Sequence, residues 1–323
     1  MRISLNRSRL NANLVIGTIL ITIIILFGLL GPLFVNARNA RVGAVRPNLR
    51  PSSSNILGTD AQGRDVLSTL TLAIPLTLQV GVIAGSASVI LGLVLGLLAG
   101  FFGGIADWVV RTLADVLIAV PVVAFLILMV ARMDSPNIVI VAIAIALLTW
   151  GGTARGIRAQ VLTMRERAYT MVARANGESD LEVLFREIFP NLLPLMMANF
   201  IGAVSAGIYT TMSLEVLGLG SKATPSLGMM IFWTQRMSAV LRGQWWWWGP
   251  PILLIALIFV GLFLISSGLD RFVTPAIPLA RWRLINRDIV NRFHCTCLCQ
   301  ILYPQVSNLQ YGSVISGCWC YAG

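Results

Sequence analysis

The chain has 323 residues, 57% of them apolar and only 11% charged, against about 25% charged in an average soluble domain. A mean hydropathy of +0.82 excludes a disordered chain, which is poor in apolar and rich in charged residues. It also argues against an ordinary water-soluble enzyme, whose surface so few polar residues would not cover. The formal charge is +11, but the basic residues lie between long apolar runs, as the flanks of membrane spans do. No basic-aromatic motif supports nucleic-acid binding.

A membrane helix needs about 20 mostly apolar residues. A short leader, residues 1–13 with Arg2, Arg7 and Arg9, precedes the first such run at 14–35. That run outlasts the apolar core of about 7–15 residues of a signal peptide and lacks a clear A-x-A site, so it reads as a retained span. Residues 36–75 hold five Arg, three Pro and the run Ser52-Ser53-Ser54, and read as an extramembrane segment. Five more runs follow: 76–102, without charge; 108–131, with Arg111 and Asp115 near its start; 137–153; 192–214; and 250–267. The expected fold is all-α, a membrane protein with six transmembrane helices and both termini on one side.

Placing the termini in the cytoplasm puts 15 basic residues inside and 9 outside, the direction of the positive-inside bias. Five Arg after the first span run against it. Between the fourth and fifth spans, residues 155–190 mix Arg155, Arg158, Arg165, Arg167, Arg174 and Arg186 with five acids. Met164, Met171, Val172, Ala175, Leu181, Val183, Leu184 and Ile188 recur among them at spacings of three and four, the period of an amphipathic helix. Gly177 suits a helix C-terminus, and Pro190 the first turn of the next span. The segment reads as two short surface helices, either lying on lipid or docking a cytoplasmic protein.

Within that segment, RERAYTMVARANGESDLEVLFREIFPN resembles the cytoplasmic signature of binding-protein-dependent ABC importer permeases. Ala173, Arg174, Ala175, Gly177, Arg186, Ile188, Pro190 and Asn191 fit the signature. Met171 and Val172 stand where its Glu and first Ala would be. LGTDAQGRDVLS, GFFGGIADWVVRTLADVLIAVP, and LEVLGLG followed by TPSLGMM are similar to segments of the dipeptide/oligopeptide/nickel branch, C-type subunit. Pro75 and Glu215 depart from its pattern. The resemblance covers about residues 14–278, within a permease domain of 14–283. It implies a pore-forming subunit of a prokaryotic inner membrane. Its implied partners are a second homologous permease, one or two cytoplasmic ATPases, an extracytoplasmic solute-binding protein and the lipid bilayer. It also implies that the loop around Met171, Val172, Ala173, Arg174, Ala175 and Gly177, with Arg186, Pro190 and Asn191, couples the spans to the ATPases. No cofactor is implied.

The residues agree that catalysis lies elsewhere. Lys222 follows Ser221 and precedes Ala223, so no Gly-Lys-Ser/Thr phosphate loop exists. His294 is the sole His, which removes a Ser-His-Asp triad from the body of the chain and an H-E-x-x-H zinc helix. Asp107 and Asp115 read as partners of Arg111, four residues from each, rather than as a catalytic pair. Asp60 and Asp65 read as a turn held by an Asp60–Arg64 contact. Glu215 ends the fifth span, where an ionisable group suggests the translocation path or an interface. Trp245 to Trp248 read as an interfacial aromatic belt. The glycines at 92, 96, 100, 103 and 104 offer close helix packing, within the subunit or against a second permease.

The five cysteines, Cys295, Cys297, Cys299, Cys318 and Cys320, all fall in the tail 284–323. They lack the two-residue gap of common zinc knuckles, and the tail reads as a frame-shifted or read-through terminus before it reads as a metal site. Two other functional classes stay open: a stand-alone channel or membrane scaffold, and, less favoured, an intramembrane enzyme. Within the importer reading, peptides are preferred to nickel because the path holds no His.

Overall fold

The computed structural model describes residues 12–133, 137–221 and 224–273; the Cys-rich tail and most of the leader lie outside them. Ten α-helices occur among these residues: α1 Ala12–Phe34, α2 Val66–Phe102, α3 Gly104–Ala119, α4 Val122–Val130, α5 Ile138–Arg165, α6 Ala168–Ala175, α7 Asp180–Val183, α8 Phe189–Val216, α9 Leu227–Arg236 and α10 Trp245–Val273. Five continuous helices are long and apolar enough to cross a membrane, and α3 with α4 makes a sixth, broken span. Bulky apolar side chains stand bare on the outside of the bundle, Leu33 78% and Ile105 83% exposed among them, as lipid requires and water does not tolerate. The all-α membrane fold holds.

Several span boundaries move. The second span starts at Val66, ten residues before the expected 76. Asp65 caps it, accepting from Ser68 N–H at 2.8 Å and from the Ser68 hydroxyl at 2.6 Å. Burial of Val66, Leu70, Ala73 and Ile74 outweighs the weak helix preference of the intervening Ser and Thr. The third span, expected continuous over 108–131, bends by 75°. Pro121 disfavours helix at the residue before it, and Val120 is extended there (φ −77°, ψ 126°). The fourth runs on past 153 to Arg165, so its 28 residues measure about 42 Å and overshoot about 30 Å of hydrocarbon. α9 was not expected at all.

α2 is the central post, packed along α5 on one side and α8 on the other, while α1 lies against α10. Gly92, Gly96 and Gly100 form the α2 seam with α5; a Cβ at Gly96 would stand 2.8 Å from the Ala154 carbonyl oxygen. These three glycines therefore pack inside the subunit. Gly103 and Gly104 instead have positive φ, 68° and 58°, and turn the chain from α2 into α3.

Candidate functional sites

The segment between α5 and α8 forms the two-helix arrangement read from the sequence. α6 ends in a Schellman cap. Gly177 has φ +86°, its N–H donates to Arg174 O at 3.0 Å and Glu178 N–H donates to Ala173 O at 3.2 Å, the paired bonds that satisfy the last helical carbonyls. The chain re-enters helix at once through a capping box between Ser179 and Glu182, which satisfies orphan N–H groups at the start of α7.

One face of this segment is anchored and the other is free. Ala173 is buried with Ile157 and Val161 of α5 and Val183, Leu184 and Ile188, and Thr170 donates to Met164 O at 2.8 Å. Tyr169, Met171 and Val172 face outward, the last two 59% and 58% exposed. Arg174 pairs with Asp180 at 3.2 Å and sits 5.6 Å from the centre of the Phe101 ring. Its guanidinium thus ties α6 to α7 and to the end of α2. Ala175 and Arg186 are exposed. Asn191 donates from Nδ2 to Glu187 O at 2.6 Å.

Pro190 lies in the first turn of α8, as expected, but α8 is not separate from the helix before it. Helical structure runs unbroken from Asp180 to Val216, with a π turn at Leu184–Ile188. Pro190 has no N–H to continue the ladder, and in the turn before it the ladder loosens, Phe189 N–H reaching Leu184 O. α7 and the fifth span are therefore one continuous helix, to which α6 is joined through the Gly177 turn.

Arg111 is not the partner of Asp107 and Asp115. Arg158 of α5 holds Asp107 through Nε and Nη2, the latter at 2.7 Å, and Arg155 holds Asp115. Packing of α3 on α5 brings the cross-helix arginines to the acids, and both pairs pin α3 to α5.

Glu215 is buried within the protein near the end of α8. Its carboxylate lies against the Ser226 hydroxyl and the Gly228 N–H, at the start of α9, although Oε2 itself finds no donor in bonding geometry. Thr77 accepts from Leu227 N–H at 3.2 Å and Ser226 from Met229 N–H at 3.3 Å. Through these contacts Glu215 fastens α9 to the end of α8. It also lines a cavity of about 290 Å³ with Asn137, Thr211 and Thr224. Of the Trp run, Trp246 and Trp247 are buried among Leu70, Ile74 and Leu227, and Trp245 is 59% exposed.

The turn at Asp60 forms as expected. Asp60 accepts from Gln62 and Arg64 N–H, both at 2.8 Å, and faces the Arg64 guanidinium at 3.7 Å. Burial pushes the Asp60 carboxyl above the ordinary aspartate range, against the pull of those donors, and depresses Arg64.

A groove of about 480 Å³ runs midway along α2, α5 and α8. Ser88, Thr149, Thr153, Asn199 and Ser266 place uncharged polar groups in a mostly apolar lining, and Gly152, Gly202 and Ala206 keep it open. The sequence reading passed over these residues. Their signal is polar groups at i,i+4 in apolar runs (Thr149 and Thr153) facing small residues at the same spacing (Ala198, Gly202, Ala206). Among the described residues no cluster of His, Cys, Asp or Glu is placed to hold a metal.

Comparison with known proteins accounts for this architecture. Residues 92–278 match the family described as binding-protein-dependent transport system inner membrane component. An oligopeptide transport system permease protein of Bacillus subtilis is 28% identical over 217 residues, 67% of this chain and 71% of that protein. A dipeptide transport system permease protein of the same species is 26% identical over 259 residues, 80% of each. A glutathione transport system permease protein of Pectobacterium atrosepticum is 34% identical over 187 residues, 58% of this chain and 62% of that one. Six spans around a glycine-packed post, with an anchored helix pair at one end, are thus the work of a transport permease, and the chain belongs to the binding-protein-dependent transport system inner membrane components, the permeases of ABC importers.

Proposed function

We propose that this permease passes di- or oligopeptides across a prokaryotic inner membrane, together with a second homologous permease, and that ATP is hydrolysed on separate cytoplasmic subunits seated on α6. Both termini and the α6–α7 segment then face the cytoplasm, and an extracytoplasmic solute-binding protein delivers cargo to the opposite end. The observation that carries this reading is the two-sidedness of α6. Met171 and Val172 lie bare on a water-facing helix whose other face is locked into the bundle by Ala173. Exposed apolar side chains on a rigid helix are what a partner's groove recognises. Because the Arg174–Asp180 pair ties α6 to α7, and α7 is continuous with the fifth span, closure of the partner moves α8 against α2 and α5. Hydroxyl and carboxamide groups along the central groove suit the backbone of a peptide of any sequence better than they suit nickel.

The test is affinity purification of the tagged chain from its native membrane, followed by mass spectrometry. A second permease and one or two ATPases carrying a phosphate loop are expected. With Met171→Asp and Val172→Asp together, the ATPases are expected to be lost and the second permease kept. Recovery of the chain alone, in detergent that preserves other transporters, overturns the reading in favour of a channel or scaffold.

A further inference from the structure

Fastening α9 does not use up the polar groups around Glu215. Glu215 is 7% exposed, and Thr211, one turn earlier on the same face of α8, is 6% exposed. Glu215 Oε2 and Thr211 Oγ1 are both buried without a hydrogen-bond partner, and both residues line the cavity of about 290 Å³. Other hydroxyls of α8 turn back onto their own helix: Ser205 donates to Ile201 O and Ser213 to Tyr209 O, each at 2.8 Å. Thr211 makes no such bond.

Most of the remaining wall is aliphatic, from Leu76 of α2, Val130 of α4 and Ile138 and Val141 of α5. Among the described residues, Glu215 is the only charged one in the lining. Asn137 and Thr224, also in the lining, are exposed, so the cavity reaches the surface. It does so at the end of the molecule opposite α6, since α5 runs from Ile138 at the cavity to Arg165 beside α6. Thr211 lies five residues beyond Ala206, the last α8 residue of the central groove, or about 8 Å along the helix.

A buried carboxylate between aliphatic walls lacks a positive charge more than it lacks a hydrogen bond. Water in the cavity would satisfy Thr211, but it brings no charge. A calcium ion asks for about six to eight oxygens, carboxylates among them, and the described lining holds one carboxylate. An ammonium group matches better, with one positive charge and three N–H donors for Glu215, Thr211 and a water. A phospholipid amine would bring a phosphate as well, for which the described lining holds no cation. The first residue of a peptide brings its ammonium beside a side chain, which aliphatic walls accept.

We infer that the cavity between Thr211 and Glu215 is a subsite for the free α-ammonium of a peptide, held there before the chain enters the central groove. The inference rests on the peptide-importer reading and deepens it. Glu215 is then clasp and counter-ion together: Ser226 and Gly228 hold its carboxylate in place, and the ammonium neutralises it.

The experiment uses the complete importer, without its solute-binding protein, in nanodiscs of phosphatidylglycerol. Equilibrium binding of radiolabelled leucylglycine is compared with that of N-acetyl-leucylglycine, which has no ammonium. Wild type is expected to bind the free-amine probe about tenfold more tightly or better, as a charge-assisted bond to a buried carboxylate gives. Glu215→Gln keeps an acceptor for Ser226 and Gly228 but loses the charge, and is expected to bind the two probes about equally, by weakening the free-amine probe alone. Thr211→Val, outside the α8–α9 clasp, is expected to weaken the free-amine probe several-fold at an unchanged melting temperature. A purely structural Glu215 would instead lower the melting temperature and affect both probes alike, with Thr211→Val silent. That pattern overturns the inference, as does a wild type that binds neither probe or both equally. Displacement of leucylglycine by phosphatidylethanolamine added to the nanodisc assigns the cavity to a lipid amine and overturns it too. In each of these cases peptide uptake by the importer with its solute-binding protein would leave the importer reading standing. A preparation that takes up no peptide removes that reading, and the subsite with it.

Discussion

Gly177 is the residue at which local backbone and proposed function meet most directly. Its φ of +86° and its N–H bond to Arg174 O make the sharp exit from α6 on which the Arg174–Asp180 pair depends. A Cβ there meets nothing within 4 Å, so the cost of substitution is conformational, not steric. Gly177→Ala should cost about 1–2 kcal/mol locally, the left-handed penalty of an L-residue, and reduce uptake only in part. Gly177→Pro also removes the N–H and forces φ to about −65°, so it should abolish uptake while the chain still inserts. Uptake assays beside protease mapping of the inserted protein check both; normal uptake by the Pro variant would remove the coupling role. This glycine was legible because a lone Gly between two amphipathic helical stretches has few other uses. Arg174 was only half legible. The sequence marks it as a charge in a docking signature, but only the Gly177 turn brings Asp180 to it and only the fold brings the end of α2, with Phe101, beside it. The same holds for Asp107 and Asp115, whose nearest arginine in sequence is not their partner in space.

At the scale of elements, the pattern of apolar runs located the spans, and the glycine spacing announced a close seam without naming the second helix. Repeat spacing says that one face is narrow, while only the bundle says that α5 fills it. A side chain at Gly96 meets the Ala154 carbonyl and the Ile157 side chain. Gly96→Leu should therefore destabilise by about 1–3 kcal/mol or more, as overpacking does, and lower the thermal midpoint of the detergent-solubilised protein. Gly156→Ala, on the same α5 but with open space around its Cβ, should be neutral or slightly stabilising, because Ala is the better helix former. Equal melting of both variants would mean that the seam is not close-packed. The bend at Pro121 and the early start of α2 escaped the sequence for a shared reason. Apolar composition reports what lipid will accept, and it is silent on where a helix breaks inside lipid or continues beyond it.

At the scale of the whole molecule, the proposed function assigns the α6 end to the ATPases and the central groove to the cargo. Its residues were the least legible, since one Ser or Thr in a span usually just bonds its own backbone, as Thr149 does to Ile145 O at 2.8 Å. They share one lining only because α2, α5, α8 and α10 bring them to one wall. Gly202 separates path from packing. It lies in that wall, yet a Cβ added to it meets nothing within 4 Å, whereas one at Gly207, five residues on, would stand 3.1 Å from Ala84 Cβ. Gly202→Phe should thus fill the groove without disturbing the fold. Peptide uptake should fall to background, while melting, recovery of the partner subunits and basal ATP hydrolysis stay at wild-type levels. Gly207→Phe should instead fail at assembly, with lower expression and a lower melting point. If Gly202→Phe transports normally, cargo does not pass this wall. If it melts early like Gly207→Phe, the groove is a packing surface, and the second permease is the partner that covers it.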